Sequence, residues 1–194
     1  MTAFKQIFLE VKQGGIMSKR RRHTHAPAGN EAKLLTVITI VTIDDGDTPF
    51  VAREKFRGGE EVDGVKVSWI GRGFREDFLD MEENITQKVP KTVRVHKLGV
   101  NALDLTICTE LGDARRTMLF HLWGLLKKQG MGQEGLLFGD GCCYTTNIAY
   151  VCKKNGSPRT VHIRWDFEDD GWLIDSCHIS DPHRQIAGTG VISL

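Results

Sequence analysis

The chain reads as an α+β domain: a mainly antiparallel sheet with a C-terminal hairpin ribbon and one main amphipathic helix packed on one face. Three observations lead there. Residues 144–153, 159–167 and 172–179 alternate between apolar and polar, separated by Lys154-Asn155-Gly156-Ser157 and by Asp169-Asp170-Gly171. Asn-Gly and Asp-Gly tolerate positive φ and are the strongest short-range hairpin signals. Between Asp113 and Gly130, the side chains of Met118, Leu119, Leu122, Leu125 and Leu126 form one helical stripe. Upstream of that helix the apolar segments are short, β-branched and punctuated by glycine.

Residues 1–30 read as a flexible tail, because Gly14-Gly15, Lys19 to His25 and Ala26-Pro27-Ala28-Gly29 offer no periodic apolar face. Gly14-Gly15 just ahead of Met17 also reads as a translated ribosome-binding sequence. That makes Met17 an alternative start and the gene bacterial or phage. The domain then runs from residue 31 to 194. Leu34 to Ile43 is the first strand, and its β-branched run suggests burial on both faces. Asp44 to Asp47 is a turn, and Phe50 to Phe56 alternates as a second strand. Val65, Val67 and Trp69 mark a third, ended by Gly71-Arg72-Gly73. Phe74, Phe78 and Met81 suit a short amphipathic helix, and Val93 and Val95 another strand. Leu103, Ile107 and Leu111 lie on one face of a helix closed by Gly112. The main helix follows, with Asp113 as N-cap, Lys127 and Lys128 at the negative end of its dipole, and Gly130 as its stop. Val191-Ile192 is a last short strand.

In the ribbon, a two-residue Asn155-Gly156 loop sets Tyr150 opposite Val161 and Ile148 opposite Ile163. A three-residue Asp169-Asp170-Gly171 loop sets His178 opposite His162 and Ser176 opposite Arg164. Trp165, Cys177 and Ile179 then share the apolar face, while His162, His178, Arg164 and Ser176 share the polar one. Asp175 falls on the apolar side with no evident partner.

Of the 194 residues, 40% are hydrophobic and 26% charged, enough for a real core in an ordinary water-facing domain. No apolar run is long enough to span a bilayer, and Glu10 interrupts the short apolar stretch near the N-terminus, so neither a membrane span nor a signal peptide is expected. Five cysteines (Cys108, Cys142, Cys143, Cys152 and Cys177) form no C-x-x-C pair, which suggests reduced thiols in a cytoplasmic protein rather than a disulfide framework. Residues 1–30 hold six of the 26 basic side chains against Glu10 alone, so the remainder is net −4 although the whole chain is +1.

These features point to a non-enzymatic module that binds a macromolecular partner, protein or nucleic acid, without a cofactor. Lys19, Arg20, Arg21 and Arg22 are the candidate nucleic-acid contacts, non-specific and salt-sensitive. The competing reading is a small cysteine hydrolase that uses Cys108 as nucleophile, His162 as base and Asp175 as its orienting acid. No motif around Cys108 supports it, since Ile107-Cys108-Thr109 looks like the buried side of a helix. The His162–His178 pair is a candidate start of a metal site, although a third ligand is not evident and such a face is more often simply solvated. Gly71-Arg72-Gly73 lacks the spacing of a phosphate loop and is read as turn chemistry. Trp165 is placed in the core and Trp172 at a partly exposed turn.

Overall fold

The computed structural model describes residues 32–44, 49–84, 89–133, 135–139 and 146–194. In chain order its elements are β1 (Leu35–Thr42), β2 (Phe50–Val51), α1 (Ala52–Lys55), β3 (Glu60–Val62), β4 (Val65–Ile70), α2 (Arg72–Phe78), β5 (Glu82–Glu83), β6 (Thr92–Leu98), β7 (Ala102–Leu103) and α3 (Asp104–Leu111). A 3₁₀ turn (Gly112–Arg115), β8 (Arg116–Thr117), α4 (Leu119–Gln129), β9 (Asn147–Cys152), β10 (Pro158–Asp166), β11 (Gly171–His178), β12 (Arg184–Gln185) and β13 (Gly190–Ser193) complete it. The fold is mixed α/β, with a large, mostly antiparallel sheet and few helices. Strands run in the order β1-β6-β13-β9-β10-β11-β4-β3, and β8 joins β9 beside β13. The β11–β4, β13–β9 and β8–β9 pairs are parallel. The last strand in the chain thus lies inside the sheet, between β6 and β9.

Both faces of the sheet carry a hydrophobic cluster. On the first, Ala149, Val151, Val161, Ile163, Trp165, Trp172, Ile174 and Ile192 join Leu119, Leu122, Leu125 and Leu126 of α4 in the main core. Phe56 bridges Phe74 and Trp123 edge-on at 5.1 and 5.4 Å, the T-shaped geometry that aromatic quadrupoles favour. On the second face, Ile148, Tyr150, Val191, Leu98 and Leu35 pack with Ile107 and Cys108 of α3 in a smaller cluster. Successive residues of β9 point to opposite faces, and with both covered, Ile148, Ala149, Tyr150 and Val151 are all buried.

Several expected elements take a different form. The first strand is not buried on both faces. It is the sheet's edge among the described residues, and Val37, Ile38 and Ile40 are exposed. The alternating run from Phe50 is a two-residue strand followed by a helical turn. Asp113 lies in the 3₁₀ turn rather than at the start of the main helix. That start is held instead by the buried Glu83, whose carboxylate accepts the Leu119 and Phe120 N–H groups at 2.9 and 3.0 Å. The His121 ring adds a bond from the Met118 N–H at 2.9 Å. A carboxylate at this end also meets the positive pole of the helix dipole.

The ribbon register differs as well. Tyr150 pairs with Thr160 and Ile148 with His162, because Lys153 and Ser157 close a three-residue loop with Gly156 left-handed (φ 82). His162 pairs with Asp175 and Arg159 with His178, because the second loop spans residues 167–170 and Asp170, not Gly171, takes positive φ. Each change shifts the pairing by an odd number of residues, so neighbours swap faces. Gly171 is needed for a different reason: a Cβ there would press on Ser68 of the parallel neighbour β4. The Asp45–Asp47 turn residues, the 1–30 tail, Cys142 and Cys143 lie outside the described residues.

Candidate functional site

The polar groups of the body gather on the second face. Asp104, the first residue of α3, is buried to 1% exposure beside strands β9 and β10. Its Oδ1 accepts the Tyr150 hydroxyl at 3.0 Å and the Gln185 amide at 3.1 Å, and its Oδ2 accepts the Thr160 hydroxyl at 2.8 Å. Three neutral donors around one carboxylate replace the water it loses on burial. One helical turn on, Cys108 meets the Tyr150 hydroxyl, and burial pushes its thiol pKa up to about 11. His162 stands two residues beyond Thr160 on the same face of β10. Its Nε2 lies 3.3 Å from Cys177 Sγ on β11. Burial lowers the His162 pKa, opposed by Asp104, Asp175 and Asp181, and burial raises Cys177 to about 11. The pair is therefore a neutral imidazole beside a protonated thiol at neutral pH.

Asp175 sits directly across from His162. Its Oδ1 accepts the Ser176 N–H at 2.8 Å and, more weakly at 3.4 Å, the Phe74 N–H in the first turn of α2. Gly71 passes so close that a side chain there would overlap the Asp175 carboxylate. The acid that lacked an evident partner in the sequence thus caps a neighbouring helix. In the last turn of α2, Asp77 takes Lys153 and Arg159 at 2.5 and 2.7 Å and the Ser176 hydroxyl at 3.1 Å.

Toward β4 the same face opens into a shallow depression of about 340 Å³ lined by Trp69, Thr146, His162, Arg164, Leu173 and Asp175. Trp69 is 47% exposed, whereas Trp172, expected at a partly exposed turn, is fully buried against Trp165 and donates its indole N–H to the Gly130 carbonyl at 2.9 Å. The exchange has a local cause. The β11–β4 register slips at Ser68, so Val67 faces the core while Trp69, two residues on, turns to the opposite face beside Leu173. Strict alternation places Trp69 in the core, and no signal in the chain marks the slip.

Of the hydrolase trio, the fold brings His162 and Asp175 side by side, while Cys108 goes to Tyr150 and the thiol beside His162 is that of Cys177. The His162–His178 pair is separated: the two rings lie on opposite faces, and His178 Nδ1 is 2.6 Å from the Ser180 hydroxyl. The odd shift in register is the reason, and it removes the two-histidine metal site. Among the described residues, no three His, Cys, Asp or Glu side chains converge as metal ligands. Lys19, Arg20, Arg21 and Arg22 fall outside the described residues. No helix among the described residues is long and apolar enough to cross a membrane. Asp104, Tyr150, Thr160 and Cys177, the centre of the polar face, were not singled out by the sequence as a group, since nothing local links a helix start to three strands. No protein-family model, curated protein or solved structure matches this chain.

Proposed function

We propose that the protein is a non-enzymatic module that binds single-stranded nucleic acid, with the Trp69–Arg164 depression as the stacking surface of its body and Lys19 to Arg22 as a separate electrostatic contact. The observation that carries this reading is Trp69, a large aromatic ring left 47% exposed on an open sheet face beside an exposed arginine. An indole offers any base a π face, and a neighbouring guanidinium adds both stacking and phosphate attraction. Asp175, which lines the depression, accepts backbone N–H groups through its Oδ1. The thiols at pKa values of about 11 speak against a nucleophile, so the hydrolase built on Cys108, His162 and Asp175 is the weaker reading.

Fluorescence anisotropy with labelled single-stranded oligonucleotides tests it. Trp69→Ala should weaken binding about tenfold, the effect of losing one stacked base. Changing Arg20, Arg21 and Arg22 together to alanine should lower affinity and flatten its salt dependence. Oligonucleotide binding indifferent to both variants defeats the reading.

A further inference from the structure

Away from Trp69, the second face has another opening. The 3₁₀ turn and β8 border it on one side and the β9–β10 hairpin on the other, and it holds about 360 Å³. Its lining is Arg115, Arg116, Tyr150, Cys152, Gly156 and Pro158. The volume is on the scale of pockets for small organic ligands, roughly 300–1,000 Å³. Tyr150 and Cys152 are two apart on β9 and so share a face, and Pro158 pairs with Cys152 across the hairpin. These three side chains make a largely apolar base.

The two arginines supply the charge. Arg116 is exposed and lies across from Tyr150 in the parallel β8–β9 pair. The backbone that carries them is pinned on both sides. The Thr117 hydroxyl donates to the Tyr150 carbonyl at 3.0 Å, and the Ala114 carbonyl accepts the Leu194 N–H at 2.7 Å. Arg115 gives Nη1 to the Gly112 carbonyl at 2.9 Å, which uses one of the five N–H groups of its guanidinium. Its charge also reaches inward, where it favours the thiolate of Cys108 beside Tyr150. Among the described residues, neither guanidinium is paired with a carboxylate. Two uncompensated positive charges beside an apolar base call for an organic anion. A phosphomonoester dianion matches both charges, and its oxygens suit the guanidinium fork; a carboxylate leaves one charge unmatched. We infer that this pocket binds a small phosphomonoester, with Arg115 and Arg116 on the phosphate and the organic body against Tyr150, Cys152 and Pro158. Pro158 and Arg164 are six residues apart on β10, about 20 Å along the strand, so the pocket is separate from the Trp69 depression and does not rest on nucleic-acid binding.

Titration calorimetry of the full chain with phenyl phosphate tests it, with inorganic phosphate and benzoate as comparisons. Phenyl phosphate should bind with a Kd of about 1 mM or below, a value in keeping with its few heavy atoms. Inorganic phosphate, which lacks the ring, and benzoate, which lacks the second charge, should each bind about tenfold more weakly. In amide NMR spectra, phenyl phosphate should shift the Gly156 signal. Arg116→Ala, at an exposed site, should weaken phenyl phosphate about tenfold and leave the denaturant midpoint unchanged. Arg116→Lys keeps the charge without the fork and should recover only part of that loss. No binding of phenyl phosphate at about 10 mM, well above the expected Kd, overturns the inference. Binding indifferent to Arg116→Ala overturns it too, as does inorganic phosphate or benzoate that binds as well as phenyl phosphate. Phenyl phosphate binding lost with Trp69→Ala instead would place the anion in the other depression and also overturn it.

Discussion

On one face of the central strands, Val161, Ile163, Trp165 and Trp172 lie in a dry core shared with α4. On the other face of the same strands, Tyr150 and Thr160 reach a buried carboxylate, and His162 lies against a thiol. The first face is held by area and shape, and its cost of damage scales with the volume removed. The second is held by satisfied polar groups, and its cost of damage comes from those left without a partner. The difference explains where the body can carry function. The apolar face is closed by α4 and by the aromatic cluster of Phe56, Phe74 and Trp123. The polar face is covered by α3 over only part of its width and opens at Trp69 and Arg164.

The largest expected effect lies on the apolar face. Trp172→Ala removes a fully buried ring, its edge contact with Trp165 at 5.1 Å and its bond to the Gly130 carbonyl. It should cost about 4 kcal/mol in denaturant unfolding. A loss of less than about 1 kcal/mol would mean that α4 and the sheet are not packed by shape.

On the polar face, Asp104→Ala strands the Tyr150 and Thr160 hydroxyls and the Gln185 amide in the interior and should cost about 3 kcal/mol. Asp104→Asn keeps the size and one acceptor oxygen and should recover more than half of that. Equal costs for Ala and Asn would make volume the dominant quantity here too, and the contrast between faces would fail.

Much of this contrast was legible in the sequence, but only for one strand at a time. The alternation of β10 put Val161, Ile163 and Trp165 in the core, where they are. The phase between strands was not legible, because it depends on loop length by single residues and because only one covered face was expected for the C-terminal ribbon. With a second core under α3, Ile148 and Ala149 are both buried, and alternation no longer reports which way a residue of β9 points. Gly171 misled for a related reason. It reads as a turn glycine, yet it serves the close approach of β4, a neighbour distant in the chain. The candidate site suffered most, since Trp69 is exposed by a register slip and Asp175 is partnered by a helix end from another segment.

Acid should act on both faces in the same direction. His121, in the first turn of α4, holds the Pro90 carbonyl at 2.6 Å with Nε2 and the Met118 N–H at 2.9 Å with Nδ1, a pattern only the neutral ring satisfies. Burial lowers its pKa against the opposing Pro90 bond, and burial lowers His162 on the polar face. Between the folded pKa and the ordinary value of 6.5 the unfolded chain binds more protons, so stability falls as pH drops through that window. Each histidine contributes a slope of up to about 1.4 kcal/mol per pH unit there. Denaturation curves at pH 7.5 and 5.5 should show the loss, and His121→Gln should reduce its pH dependence. A pH dependence identical in the wild type and in His121→Gln would contradict a neutral buried ring at that position.

The smallest effect concerns the thiols, and it bears directly on what the polar face can do. Cys108 and Cys177 are pushed to pKa values of about 11 by burial, with nearby acids adding to the rise. At neutral pH only about one molecule in ten thousand carries either thiolate, and the thiolate is the reacting species. Alkylation followed by peptide mapping should therefore leave Cys108 and Cys177 unmodified in the native protein and modify both once it is unfolded. Raising the pH by one unit should increase their native labelling about tenfold, as expected for a thiol far below its pKa. If Cys108 were instead labelled first and at a rate independent of pH, it would be a thiolate in an accessible site. The polar face would then be a reaction centre rather than a structural one, and the hydrolase reading would displace the binding module.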